Sequence, residues 1–371
     1  MQNEYKKDRN NFFDEPSTRQ RNDSNRIRPS AGKKRKKGGI PLALIFVIDV
    51  AIAAVALLAF SLYYFILPRE LGQDAVVLPG AKPSDAAVAS ASEPPDNLET
   101  EQPGAQTTDN SGEQAVQADP NSWRAKFADK FTSGDVEKTD SSYKNANVSV
   151  TVDTVAKDGV TYFVADIYLA DIKYFKSAFA NDKFVSGNAE STVAIANENN
   201  AVIAINGDYC TLNEGVVVRN GVQYRGDKFT LDQLVLFNDG TMKTYAPEEF
   251  NYDELINQGV YQVWTFGPML LKDGQPMEEF NCSVNPRNPR TAVGYFEPGH
   301  YCFVVVDGRQ DNYSVGYSTK ELSSLMFNLG CTVAFNLDGG QSSEMAFGGS
   351  LVNMPFDGGR GTSDILYIAG E

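Results

Sequence analysis

The residues best suited to chemistry lie in one turn near the end of the chain. The run Asn336-Leu337-Asp338-Gly339-Gly340-Gln341-Ser342-Ser343 follows the apolar residues 331–335, which are typical of a buried strand. The two glycines allow a ligand to approach the main chain, and successive backbone amides in such a turn can bind an anion. The two serines add hydroxyl donors, and the aspartate adds a carboxylate for acid–base chemistry. This turn is therefore the first candidate for a functional site.

Four other segments combine glycine or proline with side chains that could serve the same site. Two of them carry arginine, whose guanidinium fork matches the oxygens of a phosphate group. Each segment alone is better explained by an ordinary turn or a solvated cap. The four segments are Asn206-Gly207-Asp208-Tyr209, Phe266-Gly267-Pro268, Asn288-Pro289-Arg290-Thr291 and Asp307-Gly308-Arg309.

Taken together and in this order, these segments resemble the phosphodiester glycosidase family. The resemblance covers residues 147–368 and rests on seven blocks, at residues 204–207, 266–268, 289–294, 306–309, 336–343, 353–355 and 360–364. Gln341 and Asp208 depart from the family pattern, which commonly has glycine at both places. Neither departure removes a candidate catalytic group, although Asp208 adds a carboxylate that could alter sugar preference.

The resemblance implies a hydrolase that cleaves a sugar-1-phosphate diester, releases the sugar and leaves a phosphomonoester. Phosphate is a good leaving group, so neutralising its charge matters more than protonating its oxygen. We expect Asp338 to activate water or to stabilise an oxocarbenium-like centre. Asp307 is the second candidate for this role, and a cap that supports Arg309 explains it equally well.

The phosphate is predicted to contact one arginine, two backbone amides and two hydroxyls, while polar side chains orient the sugar. The predicted catalytic residues are Asp338, Asp307 and Arg290. The predicted substrate-binding residues are Asn206, Gly207, Asp208, Thr291, Arg309, Gly339, Gly340, Ser342 and Ser343.

The N-terminal part predicts a membrane anchor. Residues 1–39 hold 12 Lys and Arg against five Asp and Glu, a net of +7, whereas the whole chain carries −15. The 28 residues 40–67 contain Asp49 as their only charge and are long enough to span a bilayer. The basic run at 33–37 places residues 1–39 in the cytoplasm as a basic tail. A cleaved signal peptide is the alternative, although its apolar region is typically only about 7–15 residues long.

Residues 68–122 are predicted to form a disordered linker that is acidic and rich in proline. Within them, residues 72–122 have no aromatic side chain, six prolines and nine acidic residues, a composition that cannot form a packed core. We therefore expect a single-pass protein of the cell membrane whose domain at 123–371 is extracellular. Its predicted partners are the membrane and a glycan or sugar-phosphate substrate. The basic tail beside an apolar span suits anionic lipid better than nucleic acid.

The outer domain is predicted to be α/β, in the α+β sense, with a mixed sheet. Three hairpins are indicated by Asp158-Gly159, Asn220-Gly221 and Asp239-Gly240 between alternating apolar runs. Near the C-terminus, a strand at 301–306, a helix after Ser318 and a strand at 331–337 predict a parallel βαβ crossover. If its two strands are neighbours, the loops after them meet at one edge of the sheet.

Other readings of the chain stay open from the sequence alone. Four cysteines allow up to two disulfides in three pairings, or buried free thiols. A serine hydrolase would need His300, the one histidine, which is better explained as a surface residue. No cofactor or metal is predicted, although Asp and Asn oxygens could hold Ca²⁺. A non-catalytic surface protein that binds glycan or attaches polymer would use the same motifs.

Overall fold

The computed structural model describes residues 42–61, 69–70, 75–80, 119–211, 214–227 and 230–370. By its internal contacts the chain divides into two compact units, residues 1–57 and 58–371. The predicted basic tail at 1–39 and residues 81–118 of the predicted linker lie outside the described residues.

Five α-helices and 22 strands form the described part of the chain. The helices are α1 (Leu42–Ser61), α2 (Trp123–Lys126), α3 (Thr192–Glu198), α4 (Tyr252–Leu255) and α5 (Thr319–Asn328). The strands up to the middle of the chain are β1 (Arg69–Glu70), β2 (Val76–Val77), β3 (Glu137–Lys138), β4 (Ser142–Lys144), β5 (Val148–Lys157), β6 (Val160–Leu169), β7 (Phe175–Phe179), β8 (Val185–Ser186), β9 (Ala201–Asn206), β10 (Val216–Arg219) and β11 (Val222–Gly226). The remaining strands are β12 (Gln233–Phe237), β13 (Met242–Tyr245), β14 (Val260–Thr265), β15 (Leu271–Lys272), β16 (Gln275–Pro276), β17 (Arg290–Glu297), β18 (His300–Val306), β19 (Val333–Asn336), β20 (Met345–Phe347), β21 (Ser350–Leu351) and β22 (Asp364–Ala369).

The predicted membrane span at 40–67 overlaps helix α1. Among the helices of the described residues, none combines the length and the apolar character that crossing a membrane requires. The predicted anchor is therefore not confirmed.

Two short pieces of the segment predicted as a disordered linker are strands. Strand β1 pairs with β8, and strand β2 pairs with β11 at one edge of a sheet. The next residue after β2, Leu78, is buried among valines of that sheet. The prediction of disorder does not hold for these residues, because Leu78 is an apolar anchor that the domain can bury.

Three large sheets build the domain, and every strand pairing in the described residues is antiparallel. Their strand orders are β19-β17-β18-β6-β5-β4-β3, β13-β12-β14-β10-β11-β2 and β21-β20-β9-β22-β7. Their apolar faces share one core. At its centre the ring of Phe175 lies 5.3 Å from that of Tyr301, 5.7 Å from Phe303 and 6.0 Å from Trp264.

The three predicted hairpins are present. Strands β5 and β6 pair over their full length around Asp158 and Gly159, which both have positive φ. Strands β10 and β11 turn at Asn220 and Gly221 in the same way, and β12 pairs with β13. Positive φ at both central residues is the geometry that Asp-Gly and Asn-Gly favour, so local turn chemistry fixed the first two of these hairpins.

The two strands of the predicted parallel βαβ crossover lie in one sheet but are not neighbours. Strands β18 and β19 flank helix α5 as predicted, but β17 lies between them and is antiparallel to both. The tight turn at Pro298 and Gly299 makes β17 the neighbour of β18 and fills the place beside it. Because each is antiparallel to β17, strands β18 and β19 still run in the same direction. Their carboxyl ends therefore lie at the same edge of the sheet, as the site requires.

Candidate active site

A buried asparagine joins three of the predicted segments. The Nδ2 of Asn206, at the end of β9, donates to the backbone carbonyl of Asp338 at 2.7 Å. The Oδ1 of Asn206 accepts from the hydroxyl of Thr291 at 2.7 Å and from the amide of Glu344 at 3.2 Å. Asn206 and Thr291 are fully buried. They therefore hold the turn in place from behind and do not face a ligand.

The two glycines of the turn serve close packing. A Cβ on Gly339 would lie 2.9 Å from the carbonyl oxygen of Pro289, and Gly340 has a φ of +68° beneath the guanidinium of Arg309. The amide of Gly339 donates to Oδ1 of Asp338 at 2.9 Å, and that of Gly340 donates to the carbonyl of Pro289 at 3.0 Å. Both amides are thus occupied within the protein, and the predicted amide site for the phosphate is wrong.

Asp338 is the buried carboxylate of the site and is held by Arg360, for which the sequence alone predicted no role. The Nη2 of Arg360 lies 2.9 Å from Oδ2 of Asp338. The same guanidinium donates to the hydroxyl oxygen of Ser342 at 3.0 and 2.7 Å. The Cζ atom of Arg360 lies 5.0 Å from the centre of the Tyr209 ring. Ser342 therefore positions Arg360 and is not available as a phosphate donor.

The environment of Asp338 makes it a stronger base than an exposed carboxylate. Its exposed fraction is 7%. Burial raises the pKa of Asp338 above its ordinary value, and the hydrogen bond from Ser342 and the charge of Arg360 oppose that rise. A more basic carboxylate at a water-excluding position is suited to accept a proton from water.

Arg290 enters the site from the start of β17 and is anchored by backbone carbonyls. Its Nε donates to the carbonyl of Tyr317 at 3.0 Å, and its Nη2 donates to those of Val284 at 2.9 Å and Pro286 at 2.7 Å. Among the described residues, no carboxylate forms an ion pair with Arg290, and no group accepts a hydrogen bond from its Nη1. Burial lowers the pKa of Arg290, and the charge of Arg309 adds to that effect. A bound anion would compensate this partly buried cation.

Arg309 completes the group of three arginines. It has a positive φ of 59°, its Nε donates to Oδ1 of Asn288 at 3.0 Å, and its guanidinium lies 5.5 Å from the centre of the Phe356 ring. Its Nη1 and Nη2 have no hydrogen-bond partner in the described part of the chain. Arg309 is exposed, so its contribution to binding would be screened by salt.

These groups line a cavity of about 460 Å³. Its charged lining consists of three guanidinium groups and one carboxylate, and an apolar wall stands beside them. The lining residues are Leu231, Phe266, Gly267, Pro268, Cys282, Ser283, Val284, Asn288, Pro289, Arg290, Arg309, Asn336, Asp338, Gly339, Gly340, Gln341 and Arg360. Of the predicted site residues, Arg290, Arg309, Asp338, Gly339 and Gly340 reach the cavity.

Asp307 does not reach the cavity, although it follows β18 much as Asp338 follows β19. It is fully buried and accepts three hydrogen bonds, from Tyr313 at 2.9 Å, from Asn353 at 2.7 Å and from the amide of Met354 at 3.0 Å. Burial raises the pKa of Asp307. The position of Asp307 therefore does not support a catalytic role, because Tyr313, Asn353 and Met354 cover its carboxylate.

Asp208 and Gly207 belong to a buried ionic cluster behind the site. Arg219 donates from Nη2 to Asp208 at 2.8 Å and to Asp364 at 2.9 Å. A Cβ on Gly207 would lie 2.4 Å from the Asp364 carboxylate, so glycine is required for this packing. The expectation that Asp208 stands at the rim and tunes sugar preference is wrong, since Arg219 neutralises it inside the protein.

Metal-ligand atoms of three side chains also come together in that cluster. Ligand atoms of Asp208, Cys210 and Asp364 lie within 4.8 Å of one another. The guanidinium of Arg219 already bonds both carboxylates, so a cation there would have to displace a buried positive charge. The cluster therefore fits an ion pair better than a metal.

Ser343 and His300 have no place at the cavity. The hydroxyl of Ser343 is buried without a hydrogen-bond partner. The Nε2 of His300 contacts Oδ1 of Asp166 at 2.7 Å, and its ring stacks 4.0 Å from that of Phe296 and 4.1 Å from that of Tyr168. The structure therefore brings no serine to His300 among the described residues, and the serine-hydrolase alternative has no support.

Comparison with known proteins points to one family. The model of the family described as phosphodiester glycosidase matches residues 199–369. Over 197 residues the chain is 34% identical to the SPbeta prophage-derived uncharacterized protein YomE of Bacillus subtilis (strain 168), covering 50% of this chain and 30% of that protein. Over 140 residues it is 29% identical to N-acetylglucosamine-1-phosphodiester alpha-N-acetylglucosaminidase of Bos taurus, covering 34% of this chain and 26% of that protein. The chain thus spans less than a third of the length of both of these relatives.

Solved structures give a looser likeness. The zebrafish N-acetylglucosamine-1-phosphodiester alpha-N-acetylglucosaminidase catalytic domain, auto-inhibited by its pro-peptide, is 18% identical with a TM-score of 0.48, covering 60% of this chain and 83% of that one. A hypothetical protein from Synechocystis is 15% identical with a TM-score of 0.43, covering 64% of each chain. The family match covers residues 199–369, which include Asp338 and the three cavity arginines. Residues 199–369 of this chain are thus similar to the phosphodiester glycosidase family.

Proposed function

We propose that this domain hydrolyses the bond between a sugar and phosphate in a sugar-1-phosphodiester of a surface glycan or cell-wall polymer. The observation that carries the proposal is the cavity in which three arginines surround one buried, arginine-paired carboxylate. The family match supports the same class of reaction, a hydrolase acting on phosphodiester-linked sugars.

The arginine side of the cavity is proposed to hold the phosphate. Nη1 of Arg290 and the two terminal nitrogens of Arg309 have no partner in the described residues, and both guanidinium groups line the cavity. A guanidinium binds phosphate oxygens in a forked, charge-assisted arrangement. As the sugar–oxygen bond breaks, negative charge grows on the departing phosphate, and positive groups already in place stabilise it without reorganisation.

The apolar side of the cavity is proposed to hold the sugar. Leu231, Phe266 and Pro268 form part of the lining, and amide side chains of Asn288 and Gln341 lie there as well. A sugar ring presents C–H groups on its faces and hydroxyls on its edge. Such a wall with a few polar groups fits that mixed surface.

Asp338 is proposed to act as the base. A water molecule gives a proton to the carboxylate as its oxygen bonds to the anomeric carbon. The bond from that carbon to the phosphate oxygen breaks, and its electron pair leaves with the phosphate. The raised pKa of Asp338 suits proton uptake, and Arg360 stabilises the ionised form that starts the reaction.

Hydrolysis of an N-acetylglucosamine-1-phosphodiester by the purified protein tests the proposal. In water enriched in heavy oxygen, attack at the anomeric carbon places the label on the released sugar. Label on the phosphomonoester would instead show cleavage of the phosphorus–oxygen bond and overturn the role given to Asp338. Binding of several such diesters without turnover would support the non-catalytic, glycan-binding alternative.

The location of the domain is also a proposal, and it rests on the sequence. The basic tail, the apolar stretch at 40–67 and the acidic outer part support anchoring with the domain outside the cell. Protease added to intact cells should then remove the domain. Its protection until the cells are lysed would contradict the outside location.

A further inference from the structure

Two cysteines lie side by side in the core, away from the cavity. Cys302 is the third residue of β18, and Cys331 lies two residues before the start of β19. Their Sγ atoms are 3.6 Å apart, and the two residues are only 1% and 3% exposed. They lie in an apolar cluster with Leu322 and Met326 of helix α5.

A glycine on the intervening strand allows this contact. Gly294 of β17 is the register partner of Cys302. A Cβ at position 294 would lie 2.6 Å from each of the two Sγ atoms and 2.7 Å from the methyl group of Met326. Such distances are shorter than side chains tolerate, so any larger residue at 294 would push the sulfurs away. The backbone of β17 therefore lies directly under the two thiols.

We propose that Cys302 and Cys331 form a disulfide when the chain folds in the presence of a small disulfide oxidant such as oxidised glutathione. One thiol attacks a sulfur of the oxidant, which forms a mixed disulfide and releases one molecule of reduced glutathione. The second thiol then displaces the second glutathione. Two protein thiols become one cystine, and the oxidant is reduced to two thiols. The two Sγ atoms must approach by about 1.5 Å to reach the disulfide bond length of about 2.05 Å.

The geometry selects this pairing from those that the sequence leaves open. The Sγ of Cys210 lies 3.6 Å from the hydroxyl of Ser363, and the Sγ of Cys282 contacts Oδ1 of Asn285 at 3.0 Å. Neither has a cysteine as its neighbour in the described part of the chain. The bond would close the segment from 302 to 331, which contains the loop after β18 and all of α5. It would thus tie together the two strands whose ends carry Asp307 and Asp338.

Thiol counting on the full-length wild-type protein tests the proposal directly. The protein is refolded with a mixture of reduced and oxidised glutathione, denatured and treated with an alkylating reagent. We expect alkylation only at Cys210 and Cys282, and a cross-linked peptide containing Cys302 and Cys331. Alkylation of all four cysteines, or a cross-link that joins Cys302 to another cysteine, would overturn the proposal.

Thermal unfolding with and without reductant gives a second readout, independent of the function proposed above. Closing a loop of this length should raise Tm by roughly 5–15 °C over the reduced protein. The matched control is the double variant Cys210→Ala with Cys282→Ala, which should keep the full response to reductant. Cys302→Ala should lose it. An equal Tm in both redox conditions for the control variant would count against the bond.

Discussion

Replacing Asp338 by asparagine is the sharpest test of the site. The change keeps the size and shape of the side chain but removes its charge and its ability to take a proton. In the wild type, Oδ1 accepts from the amide of Gly339 and Oδ2 accepts from Arg360, both at 2.9 Å. An amide has only one oxygen, so one of these donors would face an NH₂ group.

The structure sets the size of two separate effects. One unmet hydrogen bond at a buried position costs about 1–3 kcal/mol of folding stability. At about 2–4 °C per kcal/mol for a domain of this size, Tm should fall by several degrees. Loss of a positioned base should lower kcat by about 10²–10⁴-fold, which corresponds to about 3–5 kcal/mol of transition-state stabilisation. The expected fall in kcat is therefore much larger than the fall that a lower folded fraction of the variant could cause.

The assay follows release of sugar from an N-acetylglucosamine-1-phosphodiester at 25 °C, with circular dichroism to confirm that each variant is folded. Asp311→Asn is the matched control, because Asp311 is an exposed carboxylate shortly after Arg309. The control should retain the wild-type rate. A folded Asp338→Asn protein with a kcat close to that of the wild type would refute the assignment of the base.

Three further changes probe the surrounding charges. Arg309→Ala should raise KM by roughly 10-fold with a smaller change in kcat, since an exposed arginine contributes mainly to phosphate binding; an unchanged KM would remove Arg309 from the substrate site. Arg360→Ala removes a charge that lowers the pKa of Asp338, so that pKa should rise and the acidic limb of the kcat profile should move to higher pH; a shift to lower pH would contradict this. Burial, with the nearby charge of Asp208, raises the pKa of Asp364 to about 6 in the folded protein, so the native state binds protons before the unfolded chain does. Stability should therefore increase as pH falls from 7 to about 5, and a wild-type Tm that rises no more than that of Asp364→Asn would contradict the prediction.

Local patterns in the sequence were enough to predict the main hairpins, helix α5 and the region of the chain that lines the cavity. The turns at Asp158-Gly159 and Asn220-Gly221 form as predicted because their conformations depend on the turn residues themselves. Ser318 and Glu321 form the predicted capping box at the start of α5. Five of the seven family blocks then have residues in the lining of one cavity.

The contacts within the site could not be predicted in the same way, because several of them join residues that are distant in the sequence. Arg360 lies in one of the seven family blocks, but nothing in the neighbouring sequence shows that it pairs with a carboxylate 22 residues earlier. Its residue type, an arginine within a family block, was the signal that could have found it. The amide of Gly339 donates to Asp338, its neighbour in the chain. The amide of Gly340 donates to Pro289, which lies in another segment.

Asp307 and Asp338 show why similar sequence contexts have different roles. Each follows the end of an apolar strand and precedes glycine, and the two strands run in the same direction beside β17. The segment at 353–354 returns over Asp307, and the side chain of Asn353 and the amide of Met354 occupy its oxygens. Asp338 is instead paired with Arg360, and it still lines the cavity. A carboxylate saturated by neutral donors organises a loop, whereas one paired with a cation beside open space can exchange a proton with a ligand. The candidate base is therefore distinguished by the residues that cover each aspartate, and three of these, Asn353, Met354 and Arg360, come from a later part of the chain than either strand.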